Sequence, residues 1–267
     1  MSEKIKFAIQ HTVKLMTVLS LAFGAASAFA EGSNDTPGKN FPILEDSYLL
    51  QSFDHSDKAS EEPITSNLKS TYFYSNCYDS THCDSHIPTG ATVFKVPSGF
   101  GATAHSHFPR VELRAKHNFV NGDTFNNVQT GSVYIVKNPS TKSIIFAQIH
   151  GDKPGGSEMF KLRWEGGSIV AGVKEHYGDP EKRTMLLSGL NLNEKIDYKL
   201  EAKGEHNQIK VTIEVKAGGD SKKETFTYPE SSWDGIKLYF KAGNYNQDAS
   251  RGSEAVVAYS ALNATYK

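Results

Sequence analysis

Residues 198–215, YKLEAKGEHNQIKVTIEV, contain two runs in which aliphatic or aromatic residues alternate with polar ones. Such alternation is typical of a strand that buries one face and exposes the other. Between the runs, Gly204 to Asn207 includes residue types that favour turns. The stretch therefore predicts an antiparallel hairpin.

Short runs of the same kind recur from about Thr71 to the end of the chain, separated by Gly, Pro, Asn or Asp, and almost none has a helical period. Examples are ATVFKVP (91–97), RVELRA (110–115), GSVYIVK (131–137), SIIFAQIHG (143–151), FKLRWEG (160–166) and GIKLYFKAGNYNQ (235–247). So many strands in about 200 residues predict one all-β domain, built as a jelly-roll sandwich of two stacked antiparallel sheets.

The first thirty residues have a different character. Three lysines precede the apolar run 15–30, which closes on the small-residue pattern Ala28-Phe29-Ala30, as in a secretory signal peptide. A membrane anchor is the alternative, but the run is short for a bilayer span. We predict a signal peptide at 1–30, a polar leader and entry segment at 31–68, and a single folded domain at 69–267. The protein would be secreted or periplasmic.

The charge balance limits the classes of partner. Removal of residues 1–30 takes three lysines and one glutamate from 29 basic and 30 acidic residues, which leaves a net charge of −3. A polyanion would therefore have to bind at a local basic cluster, since the overall field offers no attraction. We expect no nucleic-acid partner, no membrane association after signal removal, and a monomer.

Cys77 and Cys83 are the only cysteines. In an exported chain, so close a pair predicts a disulfide that closes a small loop, with a stabilisation of roughly 3 kcal/mol or less. The alternative is a metal site, since His82 and His86 lie in the same segment. Adjacent ligands such as His82 and Cys83 rarely converge on one ion, and the spacing matches no usual zinc pattern, so the disulfide is favoured.

The run SIIFAQIHG ends with polar residues in an apolar strand. Because side chains alternate along a strand, Gln148 and His150 should share one face, while Ile145, Ala147 and Ile149 face the core. The same test predicts a polar face on two further strands, formed by Arg110, Glu112 and Arg114 on one, and by Tyr239, Lys241, Gly243, Tyr245 and Gln247 on the other. If the three strands share a sheet, its outer face is a polar groove.

Each strand alone is more typical of a solvated sheet with weak cross-strand ion pairs than of a functional site. Together, however, the three supply the groups needed for β-elimination on a uronic acid. That reaction needs donors that neutralise the C6 carboxylate, a base for the C5 proton, and an acid for the departing O4. A glycoside hydrolase would need two carboxylates instead. Glu112, between Arg110 and Arg114, is better suited to an ion pair.

The segments RVELR, QIH and YFKAGNYNQ, in this order, resemble the three signature segments of the alginate lyases of polysaccharide lyase family 7. The likeness spans most of residues 70–267. It implies a β-jelly roll with a substrate cleft on its concave sheet, endo-type cleavage of alginate, and no metal or other cofactor. Two departures are Val111, where Ser or Thr is common, and Ala115, where Glu often follows.

The resemblance also implies roles for individual residues. Arg110 and Gln148 would neutralise the carboxylate, His150 would be the base for guluronate, and Tyr245 the acid. For mannuronate, Tyr245 would serve as both base and acid. The substrate-binding residues would be Arg114, Lys241 and Gln247, together with Glu112, which would position the neighbouring arginines.

Ile149 lies between Gln148 and His150, and an isoleucine there tends to accompany activity on guluronate or mixed blocks in this family. Lys161 and Arg163 would extend the basic track if their strand joins the same sheet. The segment 175–185 would border the groove, with Arg183 or Lys182 meeting distal carboxylates. The two alternatives are a carbohydrate-binding protein without catalysis and a lyase for another polyuronate, such as glucuronan. The presence of both His150 and Tyr245 disfavours the first, because binding alone does not require them.

Overall fold

The computed structural model describes residues 35–53, 60–100 and 106–267. These residues form two short helices, α1 (Pro37–Asn40) and α2 (Ile43–Ser47), and fifteen strands. The strands are β1 (Tyr48–Ser52), β2 (Ser60–Pro63), β3 (Phe73–Ser75), β4 (Thr92–Pro97), β5 (Arg110–Ala115), β6 (Phe125–Lys137), β7 (Ser143–Gly151), β8 (Glu158–Glu165), β9 (Ile169–Val173), β10 (Lys182–Leu187), β11 (Lys195–Glu205), β12 (Gln208–Ala217), β13 (Asp220–Thr227), β14 (Leu238–Asn246) and β15 (Glu254–Thr265).

The strands form two sheets in which every pairing is antiparallel, as predicted. One has eight strands in the order β10-β9-β8-β7-β14-β5-β1-β2, and the other has seven in the order β13-β12-β11-β6-β15-β4-β3. A single hydrophobic cluster joins them, with Leu113 and Phe240 from the first sheet and Phe94 and Val133 from the second. The predicted hairpin is present as β11 and β12, with its turn at His206 and Asn207.

The two sheets differ in how they bury polar residues. In β11 and β12 of the seven-stranded sheet, buried residues alternate with more exposed ones. In β14, near the middle of the eight-stranded sheet, every residue is buried although five of the nine are polar, among them Tyr239, Lys241 and Tyr245. Buried polar groups need hydrogen-bond partners, so the outer face of this sheet must contain an internally bonded polar layer.

Part of the segment 31–68, for which we expected a polar leader and entry segment, forms regular secondary structure. It forms α1, α2, β1 and β2; β2 is an edge strand of the eight-stranded sheet, and β1 lies between β2 and β5. Tyr48 and Leu50 are buried in the core, while Gln51 lies near the polar face. With only five residues among polar neighbours, β1 is too short for its alternation to stand out in the sequence.

The predicted faces of β7 are correct with one exception. Ala147 and Ile149 lie in the core, but Ile145 pairs directly with Arg163 on β8 and Tyr245 on β14. Directly paired residues share a face, so Ile145 lies on the outer face and its predicted core position is wrong. The cause is a shift of register between Ile145 and Ala147, which a strict two-residue alternation does not anticipate.

Two further features complete the described structure. Cys77 and Cys83 form the predicted disulfide, so neither sulfur is a free thiolate. In the same loop, His82 pairs with Asp79 at 2.9 Å. The predicted signal peptide lies outside the described residues, and none of the helices within them has the length and apolar character to cross a membrane.

Candidate active site

The three strands with predicted polar faces are neighbours in the eight-stranded sheet, in the order β7-β14-β5. Their register aligns the predicted site residues in rows across the strands. The rows are Gln148, Lys241 and Arg114; Gly243 and Glu112; Tyr245 and Arg110; and His150 and Tyr239. The structure therefore brings together residues that lie more than a hundred positions apart in the chain.

Glu112 is the centre of this polar layer and has no exposed surface. Its Oε1 accepts a hydrogen bond from Gln148 Nε2 at 2.5 Å, and its Oε2 accepts one from Lys241 Nζ at 2.6 Å. Arg110 Nη1 lies 3.6 Å from the same Oε2. Burial lowers the pKa of Lys241, against the opposing effect of Glu112. As predicted, Glu112 is ion-paired, and it also fixes the orientation of the Gln148 amide.

Gly243 makes this close arrangement of β5 and β14 possible. Its φ is +138°, a conformation that residues with a side chain rarely adopt. A Cβ at this position would lie 2.7 Å from the carbonyl oxygen of Val111 and 2.8 Å from Cα of Glu112. A side chain at position 243 would therefore force Glu112 away from its partners, which explains the glycine in the third signature segment.

His150 lies beside this layer with a defined tautomer. Its Nδ1 is 2.7 Å from the carbonyl oxygen of Gly151, which can only accept, so Nδ1 carries the proton and Nε2 is left with a lone pair. Burial, reinforced by the positive charge of Lys241, lowers the pKa of His150 to about 4. The imidazole is thus neutral near pH 7. The Tyr239 hydroxyl, 3.2 Å from Nδ1, adds a second contact on that side.

Tyr245 is held on three sides. Its hydroxyl shares a hydrogen bond of 2.7 Å with the Ser106 hydroxyl. The Arg110 guanidinium carbon lies 3.7 Å from the centre of its ring, and Phe108 meets the ring edge-on at 6.3 Å. A stacked guanidinium and an edge-on aromatic ring both favour one ring orientation. The Tyr245 hydroxyl is therefore held in one position, and its ring lies against the positively charged Arg110.

The remaining predicted substrate-binding residues on β5 and β14 have partners on β1, β2 and β14. Lys241 Nζ donates to Gln51 Oε1 at 2.8 Å. Arg114 Nε lies 3.7 Å from Glu61 Oε1, and its guanidinium lies 4.1 Å from the centre of the Tyr239 ring. The described contacts of Glu112 include Arg110 but not Arg114, so it positions one of the two arginines directly.

On the other side, β8 joins the sheet next to β7, the condition under which we expected Lys161 and Arg163 to extend the basic track. The Glu181 carboxylate lies 2.8 Å from Lys161 Nζ and 2.7 Å from Arg163 Nη2. Burial acts to raise the pKa of Glu181, but Arg163 and Lys161 hold it at about 2. Arg163 also donates to Gln247 Oε1 at 3.4 Å. This part of the track is therefore already neutralised by the chain itself.

The sequence did not identify five of the residues that complete the site. Tyr239 was placed on the correct face by alternation but had no assigned role. The other four follow no periodic pattern and lie in short strands or loops, so sequence gave no signal for them: Gln51, Glu61, Ser106 and Glu181. Together with the predicted residues they give one face with fixed cationic and amide donors, a neutral imidazole and a phenol.

Comparison with known proteins places this fold and site in a family. The sequence model of the family described as alginate lyase matches residues 51–266. Alginate lyase A1-II′, described as a member of polysaccharide lyase family 7, is 27% identical with a TM-score of 0.68, covering 87% of this chain and 99% of that one. A product complex of a Tyr-to-Phe variant of the same enzyme has 26% identity and a TM-score of 0.69, covering 87% of this chain and all of that one.

A more distant structure, alginate lyase PA1167 from Pseudomonas aeruginosa, shares the fold at 22% identity with a TM-score of 0.64, covering 83% of this chain and 98% of that one. No curated protein sequence matches the chain significantly. The family match covers most of the chain, and the sandwich agrees with the jelly roll of these solved structures. The chain therefore belongs to the alginate lyases of polysaccharide lyase family 7 and is a polysaccharide lyase.

Proposed function

We propose that the protein is a secreted, endo-acting alginate lyase that prefers guluronate or mixed blocks and cleaves at the face formed by β7, β14 and β5. One observation carries this proposal. A neutral imidazole with a free Nε2, His150, and a fixed hydroxyl, Tyr245, lie on the same sheet face with Gln148 between them. The imidazole can remove a proton from C5 of a uronate, and the hydroxyl can donate one to the departing O4.

In the proposed reaction, Arg110 and Gln148 donate hydrogen bonds to the C6 carboxylate and so make the C5 proton more acidic. Arg110 Nε is buried without a partner in the described part of the chain, so it has a hydrogen-bond donor to offer. Gln148 has a second amide hydrogen besides the one bonded to Glu112. Side-chain donors thus supply the neutralisation.

Bond changes then follow in order. His150 Nε2 removes the C5 proton of guluronate, and the electron pair of that C–H bond forms the C4–C5 double bond. The C4–O4 bond breaks with its electrons passing to O4, which takes a proton from the Tyr245 hydroxyl. The products are a new reducing end and a 4,5-unsaturated uronate. For mannuronate, whose C5 substituents have the opposite arrangement, Tyr245 would act as both base and acid.

Two further observations support the finer points of the proposal. The row Arg114, Lys241 and Gln148 continues across the sheet, so a polymer lying across the strands would meet several polar groups, as endo-type cleavage requires. Ile149 is fully buried in the core, on the opposite side of β7 from Gln148 and His150, so it would act on substrate choice through their packing. Sizing of the early products tests the endo mode, since an exo-acting enzyme releases short units from the start.

His150→Asn is expected to lower kcat on polyguluronate by roughly a hundredfold, because general bases typically contribute that much or more. Asparagine preserves a polar group of similar size but has no lone pair of comparable basicity. The loss on polymannuronate should be much smaller, since there Tyr245 would remove the proton. Steady-state rates on the two polymers test this, and equal losses on both would contradict a guluronate-specific role for His150.

The pH profile gives an independent test of the same residue. His150 has a pKa of about 4, below the ordinary value, so its basic form is lost only as the pH falls through about 4. We expect kcat/KM on polyguluronate to fall below about pH 4 and not near the usual imidazole value of about 6.5. Polymannuronate is the control and should lack this acidic limb. A decline centred near 6.5 on polyguluronate would show that the base is not the buried imidazole.

A further inference from the structure

The polar row that begins in the catalytic centre does not end there. From Arg114, Lys241 and Gln148 the direct pairing continues through β8, β9 and β10. The complete row, strand by strand, is Arg114, Lys241, Gln148, Lys161, Gly172 and Arg183. At about 4.8 Å between strands, it extends roughly 24 Å across the sheet. Its far half thus has cations at two of three positions and a glycine between them.

The glycine creates a space that the chain fills with its own carboxylate. A Cβ on Gly172 would lie 2.6 Å from Cδ of Glu181, so the Glu181 carboxylate lies directly above this backbone. Its Oε2 contacts Lys161 and Arg163, and its Oε1 accepts a hydrogen bond from Arg183 Nε at 2.8 Å. Three cations therefore converge on one carboxylate at a position without a side chain beneath it.

The surroundings show that this group is more than a surface ion pair. The side chains of Lys161, Arg163 and Glu181 are at most 10% exposed. Arg163 Nε is buried and has no partner within the described part of the chain. Two neighbouring carboxylates also contact members of this cluster: Glu158 lies 2.8 Å from Lys174 and 3.9 Å from Lys161, and Glu165 lies 2.8 Å from Nη1 of Arg183. Arg163 Nε is thus a buried donor beside Glu181 that this carboxylate does not satisfy.

We propose that Lys161, Arg163, Gly172 and Arg183 form a carboxylate subsite, and that Glu181 occupies it as an internal substitute for a uronate carboxylate of the polymer. This rests on the proposed function for the nature of the polymer. The subsite residues lie one to three strands from Gln148, with Gly172 and the Glu181 carboxylate above it two strands away, so the subsite would hold a sugar unit distant from the cleaved bond. Glu181 would then limit how strongly that distant part of the substrate is held.

Glu181→Ala tests the subsite without using catalysis. In this variant Lys161, Arg163 and Arg183 lose the carboxylate that they share, so acetate should bind in its place and raise the melting temperature in a saturable manner. Sodium chloride at equal ionic strength should have no such effect, and the wild-type protein should show no acetate-specific rise because its own carboxylate is in place. A folded Glu181→Ala protein that does not respond to acetate would overturn the subsite.

Kinetics test its role in substrate binding. Glu181→Ala should lower KM for polyguluronate at least about threefold with kcat unchanged, since a charge-assisted contact becomes available to the substrate. Glu175→Gln is the matched control, because it removes the same charge from an exposed pair with Lys182 in the preceding loop. Its KM should not change. An acetate response with unaltered KM would overturn the role as a substrate subsite.

A second variant guards against a folding defect. If Glu181→Ala does not fold, Glu181→Gln replaces it, because it keeps the side-chain shape and removes only the charge. The proposal then requires a lower KM of Glu181→Gln for polyguluronate. If the wild-type protein cleaves no uronate polymer, the proposed function fails, while the acetate response of Glu181→Ala still decides whether the subsite exists.

Discussion

Tyr245→Phe is expected to lower kcat by at least roughly a hundredfold on both polyguluronate and polymannuronate, because the hydroxyl would donate the proton to O4 in either reaction. The ring should stay in place, since its stacking with Arg110 and its edge contact with Phe108 do not involve the hydroxyl. Binding of oligouronates should therefore be largely retained. Titration calorimetry on the variant measures that binding separately from turnover.

Tyr74→Phe provides the matched control for this substitution. Tyr74 lies on β3 in the seven-stranded sheet, packed against Tyr78 and His82, away from the candidate site. Loss of the Tyr74 hydroxyl should leave the rates on polyguluronate and polymannuronate unchanged. Near-normal turnover by Tyr245→Phe would remove Tyr245 from the role of acid, and a parallel loss of oligouronate binding would assign it to binding instead.

Glu112→Ala is expected to have the largest effect on stability, lowering the free energy of unfolding by about 3–5 kcal/mol. The substitution leaves Lys241 and Arg110 buried next to each other without the carboxylate that both contact. It also removes the acceptor that orients the Gln148 amide, so activity should fall as well. Urea denaturation measures the loss, provided that the transition is two-state.

Two controls identify the cause of that loss. Glu214→Ala breaks an ion pair of 2.6 Å with Lys223 on the other sheet, where the lysine is exposed, and should cost less than about 1 kcal/mol. Glu112→Leu combined with Lys241→Met should cost less than the two single changes added together, because each single change leaves a buried charge without its partner. Strict additivity would show that these two side chains do not stabilise each other.

Much of the site could be predicted because it lies on regular strands. Alternation correctly assigned Arg110, Lys241 and Tyr245 to one face, since most residues on the other side of these strands are apolar and pack in the core. Asn244 and Asn246 are exceptions on the core side, where their amides donate to carbonyl oxygens of the other sheet. The same rule gave Gln148 and His150 a common face. It failed at Ile145, where the register of β7 against β8 shifts and the alternation restarts.

Other features depend on contacts that no local pattern encodes. The adjacency of β7, β14 and β5 is a property of the whole sheet, and it makes Glu112 a partner of both Gln148 and Lys241. The Glu181 carboxylate comes from a loop and neutralises Lys161 and Arg163, which we expected to extend the basic track. The prediction considered only the charges within the β8 segment, and nothing in the sequence indicated that a loop carboxylate would contact them.

The central claim is that this face cleaves alginate by β-elimination. The most direct test is to incubate the mature protein separately with polyguluronate, polymannuronate and glucuronan and to follow the near-ultraviolet absorbance of the unsaturated uronate. We predict the fastest rise on polyguluronate, a slower rise on polymannuronate and none on glucuronan. A rise on glucuronan alone would assign the protein to another polyuronate, and no rise on any polymer would contradict the proposed reaction.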